Sequence, residues 1–209
     1  MGYSKAMVET VAGSILRIFN HERLCVFSEQ RGKLFCINKH KNVFCVVGSS
    51  LTANISQQNK AAFYIDHIHD IFHPPITTLA ELAWLHHIIE LHYFFLSEHQ
   101  AHQRDYQFFI EYLWVPKRVT KNREQEVCLQ LLAINHFLVQ TGFYEHQLLH
   151  MLAQVFQEVI DHPGAYAVPF HLIESKKQGI CELILCCLQE HPQFHQFKTV
   201  PFLRQLYIS

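Results

Sequence analysis

The sequence predicts an α+β chain, with a small closed β-barrel over residues 1–73 packed on an all-helical domain over residues 74–209. Three observations predict it. Short runs of Val, Ile, Phe and Cys, punctuated by Gly and Asn, fill the barrel region, and such closely spaced strands suit a small barrel. After Pro74-Pro75 the apolar residues recur at helical spacing. The charge also changes sign. Residues 1–60 hold eight basic and three acidic side chains, net +5, whereas residues 61–209 hold nine basic and fifteen acidic, net −6. The overall charge of −1 therefore hides two parts suited to different partners.

Taken in order, Val11–Phe19, Leu24–Ser28, Lys33–Asn38 and Val43–Val47 are expected to be strands, with two or three more short ones between Leu51 and Phe72. Gln30-Arg31-Gly32 is a hairpin turn, because Gly32 tolerates positive φ. In the helical part, Thr78 and Glu81 form a capping box ahead of Leu82, Leu85 and Ile89. A second helix covers Asp105–Trp114 and is ended by Pro116. A third covers Asn122–Gln140, with Val127, Leu131, Ile134 and Leu138 in phase and Gly142 as its stop. A fourth runs from Tyr144 to Ile160, a fifth from Ser175 to Glu190, and a short sixth follows Thr199.

Composition excludes several classes. A hydrophobic share of 49% excludes wholesale disorder. The longest apolar stretch, Leu79–Leu96, is interrupted by Glu81, His86, His87, Glu90 and His92, so no membrane span is expected. Met1–Leu16 lacks the long apolar centre of a signal peptide. The seven cysteines sit inside apolar runs. They are expected to be buried free thiols, which fits a cytoplasmic location.

Chemical motifs are sparse. His146 and His150 have i, i+4 spacing but lack the Glu of a metalloprotease motif. His67 with His69, and His86 with His87, are expected to point to different faces. No Gly-x-Ser-x-Gly elbow is present, and Gly48-Ser49-Ser50 is too short for a phosphate loop. No catalytic residue, cofactor or metal is expected, and the many histidines are read as polar positions mainly on helix surfaces. The basic residues are more informative. Arg31, Lys33, Lys39 and Lys41 cluster about the hairpin, and Arg17 and Arg23 lie on or beside the preceding strand. Such a set can track a phosphate backbone, and Phe27, Phe35 and Phe44 can stack bases. The bland alternatives are a solvated face for the charges and core packing for the Phe residues, which strand alternation favours. Lys117, Arg118, Lys121 and Arg123 form a second basic run that can add phosphate contacts, with a solvated loop as the simpler reading. The many aromatics past residue 77 exceed what one helix face buries, so some can line a groove for a peptide.

In the order of its parts the chain resembles the bacterial DNA repair and recombination mediator RecO family. LCVFSEQRGKLFCINK, from Leu24 to Lys39, is similar to that family's strand, T-E-x-x-G-K-L turn and strand. LQLLAINHFLVQTGF, from Leu129 to Phe143, resembles the helix ending in Leu-Leu-x-x-x-Gly-Tyr, and TVPFLRQL from Thr199 resembles the closing S-R-x-F-L segment. The resemblance implies an oligonucleotide-binding (OB) barrel followed by a helical domain. It implies a non-enzymatic protein that binds single- and double-stranded DNA, anneals complementary strands and helps load recombinase onto DNA coated by single-strand-binding protein. The implied partners are RecR and the C-terminal tail of single-strand-binding protein, the latter in a groove of the helical domain. Two departures stand out. Gly142 to Glu174 contains no Cys, so the four-Cys zinc site of many members is not expected. Only Lys39 and Lys41 remain of the family's longer basic run, which implies weaker or differently placed DNA contacts. The competing readings are a helical protein-interaction module with an inert barrel and, behind it, a His-ligated metalloenzyme.

Overall fold

The computed structural model describes residues 8–20, 22–40, 45–59, 62–98, 103–142, 147–201 and 203–204. Five strands come first: β1 Val8–Ile18, β2 Arg23–Ser28, β3 Gly32–Asn38, β4 Ser50–Asn59 and β5 Ala62–Phe72. They close into a barrel in the order β1-β2-β3-β5-β4, with β4 paired back to β1. All pairs are antiparallel except β3 with β5. This is an OB-like barrel, as the sequence predicts. Inward residues alternate along each strand, so Val11, Ile15, Leu24, Val26, Leu34 and Ile65 form its core.

The β2–β3 turn holds Gly32 at φ 68°, the conformation that the hairpin needed. Gly13 serves a different purpose. A Cβ there would lie 2.7 Å from the Phe27 carbonyl oxygen and 2.8 Å from Val26 Cγ1, so the β1–β2 approach requires its absence. Two long strands, rather than two or three short ones, occupy 50–72. Irregular pairings between β4 and β5 supply the bends that closure demands.

The expected strand Val43–Val47 needs correction. Val43 and Phe44 lie outside the described residues, and Cys45–Val47 are not strand. The chain turns here instead: Ser49 donates its N–H to the Val46 carbonyl at 3.0 Å, and Gly48 donates to Ile15 at 2.8 Å. Gly48 sits at φ 87°, where a Cβ would meet Leu85 Cδ2 at 2.7 Å.

The helices are α1 Leu79–Phe95, α2 Gln103–Val119, α3 Arg123–Gln140, α4 Gln147–Asp161, α5 Phe170–Ser175 and α6 Lys177–Glu190, followed by a 3-10 turn, Phe194–Gln196. The Thr78/Glu81 capping box is present. Asn122 caps α3, and Gly142 follows its end at φ 71°. Pro116 does not end the second helix. It lies inside α2, which forfeits one backbone hydrogen bond and continues to Val119, while the Thr120 hydroxyl donates to the Pro116 carbonyl at 2.6 Å. The expected fifth helix, Ser175–Glu190, is α6, and a short helix that the sequence did not predict, α5, precedes it and is separated from it at Lys176. Helical residues do follow Thr199.

The chain divides into two compact units, Met1–Phe108 and Phe109–Ser209. The change from strand to helix falls after Phe72, near the expected 73/74 boundary, but the barrel's compact unit runs on through α1. In that unit the outer faces of Cys25 and Phe27 are buried, with the Phe27 ring 5.7 Å from His92 and 5.5 Å from Tyr106. In the second unit α3 is enclosed on every side: each residue from Val127 to Leu138 is buried. Most of its polar members find partners, with the Asn135 Nδ2 donating to the Leu149 carbonyl at 2.7 Å while its Oδ1 has none among the described residues. The Tyr112 hydroxyl lies 2.7 Å from His136 Nδ1, His136 Nε2 lies 3.1 Å from Gln157 Oε1, and Gln157 Nε2 donates to Asp161 at 2.9 Å. This chain, which runs from the buried Tyr112 and His136 out to the exposed Asp161, ties α2, α3 and α4 to one another. Among the described residues no helix is long and apolar enough to cross a membrane.

Candidate nucleic-acid interface

The β1–β2 connection builds the most suggestive surface. Asn20 Oδ1 accepts the backbone N–H groups of Glu22 and Arg23, both at 2.9 Å, an Asx turn that Asn forms readily. The Phe19 N–H donates to the Arg23 carbonyl at 2.9 Å. This turn presents Phe19 outward, 45% exposed. A groove of about 480 Å³ opens beside it, lined by Phe19, Asn20, Arg23, Leu24, Phe35, Cys36 and Ile37. The Phe19 and Phe35 rings are 5.8 Å apart. The Arg17 guanidinium lies over two rings at once, 5.3 Å from the Phe19 centroid and 4.8 Å from that of Tyr93 on α1. Cation–π attraction of this kind holds an arginine in place without neutralising it.

The predicted basic residues fall into different situations. Arg17 and Arg23 belong to the groove region just described. Arg31 pairs with Glu9 at 2.7 Å, and the hydrogen bond that it donates to the Glu9 carboxylate holds its guanidinium above the usual range. Lys39 is exposed, 3.2 Å from Asp66 and 4.5 Å from the Tyr64 ring centroid. The Asp66 carboxyl is held low by a hydrogen bond from Ser56 and by Lys39.

Lys33 is the chief correction to the expected set. It is only 8% exposed. Its Nζ donates to the Tyr93 carbonyl at 2.8 Å, capping the last turn of α1, and burial lowers its pKa. It is a structural link between β3 and α1 rather than a phosphate contact. Lys41 lies outside the described residues. Of the second run, Lys117 and Arg118 occupy the last turn of α2, Lys121 the following loop and Arg123 the start of α3. Arg118 pairs with Glu111 at 2.7 Å and Arg123 with Glu126 at 2.8 Å.

Phe27 is core, as strand alternation indicated, Phe35 is half-buried at the groove, and Phe44 lies outside the described residues. Sequence reasoning missed Phe19, Asn20 and Tyr93 as site residues. Arg17 and Phe19 stand two apart in the expected strand Val11–Phe19, which hints at a shared face, but β1 ends at Ile18 and the turn places Phe19. Tyr93 gave no local signal, because it reaches Arg17 only through the packing of α1.

The histidines and cysteines also have definite places. His67 and His69 do not face apart: residues two apart along a strand share a face, and their rings are 4.7 Å apart on β5. His87, His92, His136 and His191 are buried rather than on helix surfaces. His146 lies outside the described residues, and among those described no group of three His, Cys, Asp or Glu side chains could hold a metal ion. All seven cysteines are free. Burial pushes the Cys25 and Cys36 thiols up to about 12, which leaves them protonated and poor nucleophiles. The sequence matches no protein-family model and no curated protein.

Proposed function

We propose that this chain is a non-catalytic DNA-binding protein of the recombination-mediator kind, holding DNA on the barrel face beside Phe19. On this reading it binds single- and double-stranded DNA, anneals complementary strands and helps load recombinase onto DNA coated by single-strand-binding protein. Its partners would be RecR and the C-terminal tail of single-strand-binding protein. The resemblance to the RecO family supports this fuller description. The single observation that carries the DNA-binding part is the groove lined by exposed Phe19, half-buried Phe35 and Arg23, with Arg17 stacked on the Phe19 ring. OB barrels use the β2–β3 face and the β1–β2 loop for oligonucleotides, and charged grooves with aromatic platforms are how single strands are held.

A second reading, a helical protein-interaction module with an inert barrel, is favoured by one observation: Arg31, Lys39, Arg118 and Arg123 already have carboxylate partners. Exposed ion pairs of this sort are worth only about 0–1 kcal/mol, so a phosphate can displace the carboxylate. A titration separates the readings. A fluorescent single-stranded oligonucleotide is expected to bind at low salt, with log affinity falling linearly with log salt. Engagement of Arg17, Arg23 and one or two of the paired cations gives a slope of about −2.1 to −2.8, at about −0.7 per phosphate neutralised. Absence of binding at low salt would leave the inert-barrel reading in possession.

A further inference from the structure

We propose that the groove beside Phe19 takes unpaired nucleobases, so that the barrel distinguishes single-stranded DNA from duplex; this rests on the DNA-binding reading above. Each wall of the groove offers a different contact. Arg17 lies over the Phe19 ring and is also held by Tyr93. Phe19 nevertheless keeps 45% of its surface open, enough for a flat ring to lie against it. Phe35 and Ile37 continue the apolar wall along β3. Asn20 Oδ1 is fully engaged in the turn by two backbone donors, which leaves the Nδ2 amide as a donor for a base-edge carbonyl oxygen. Arg23 stands exposed on the same groove and supplies a guanidinium for the adjoining phosphate.

This combination selects its occupant. An apolar peptide would leave the Arg17 and Arg23 charges unanswered, whereas a nucleotide offers a flat π face and an anion together. Within a duplex both faces of a base are covered by its neighbours, and extracting it costs unstacking and unpairing energy. A single strand presents the face without that cost. Duplex DNA can still reach the barrel's cations through its phosphates, but gains nothing from Phe19.

The test uses the full chain with a labelled oligothymidylate and a labelled hairpin duplex, measured side by side. Phe19→Ala is expected to weaken single-strand binding by about 5- to 150-fold, the range found for loss of one base–aromatic stack, and to weaken duplex binding far less. Phe19→Leu, which keeps apolar volume but has no π face, is expected to follow alanine, and Phe19→Trp to retain tight binding. Arg23→Ala is expected to weaken both DNAs. Equal losses on both DNAs for Phe19→Ala, or an unchanged single-strand affinity, would overturn the inference and leave the DNA-binding reading standing. Failure of the unaltered protein to bind either DNA would overturn that reading itself.

Discussion

Acidification from pH 7 to pH 4.5 is expected to destabilise the protein by roughly 5 kcal/mol through two histidines on α1 alone, at about 1.4 kcal/mol per proton and pH unit. His87 and His92 are fully buried, and that burial holds both imidazoles down to about 3. His92 donates its Nδ1 proton to the Ile88 carbonyl at 2.8 Å and packs on Phe27 of the barrel. In the unfolded chain an imidazole titrates near its ordinary value of about 6.5. Between about 6.5 and 3 the unfolded state therefore binds protons that the folded state refuses. Stability is complete above pH 6.5 and is lost steadily as the pH falls toward 3. Total stabilities of small domains are only about 5–15 kcal/mol, so this loss is large. Urea unfolding at a series of pH values checks it. The double variant His87→Leu/His92→Leu is expected to lose stability much less steeply over this window, because the two groups that only the unfolded state protonates are gone. Identical slopes for the variant and the unaltered protein would show that these two imidazoles do not set the acid limit.

Replacing Gly13 with valine is expected to cost on the order of 3 kcal/mol, the upper end of what overpacking a tight interior does. Gly13 pairs with Ser28 on one side and Leu51 on the other, so β1 is held between two strands at this point. The first atom of any side chain there would fall 2.7 Å from a backbone oxygen. A backbone atom cannot swing aside as a flexible side chain can, so relief requires β1 and β2 to separate. Gly13→Ala is expected to be milder in the same direction. A thermal melt compares the three proteins, and a valine variant as stable as the original would mean that the strands separate here at little cost.

Much of this barrel was legible because its signals are local. The alternation of β1 to β3, the Gly32 turn, the Thr78 capping box, the Asn122 cap and the Gly142 stop each depend on a few adjacent residues, and local preference and global fold agree at all of them. What escaped depends on distance along the chain. Glu9 on β1 pairs with Arg31 and Asp66 on β5 meets Lys39, so the eight basic residues of 1–60 are not eight open charges, and Asp66 lies outside the segment over which the net +5 is summed. Lys33 looked like a surface cation beside Arg31 until α1 placed a carbonyl against its Nζ. Pro116 looked like a helix end because its local cost is real, yet α2 continues through it. The candidate site was half visible: Arg17, Arg23 and Phe35 stood out by residue type, while Phe19 needed its turn and Tyr93 needed the fold.

The central claim is that DNA occupies the groove at the β1–β2 turn. Photo-crosslinking of a bromodeoxyuridine-substituted single strand to the full chain, followed by mass spectrometry of the peptides, tests it most directly. The crosslinks are expected on the segments carrying Phe19 to Arg23 and Phe35 to Ile37, and to disappear when unlabelled single strand competes. Crosslinks confined to Lys117–Arg123, with the barrel segments unmodified, would contradict the claim.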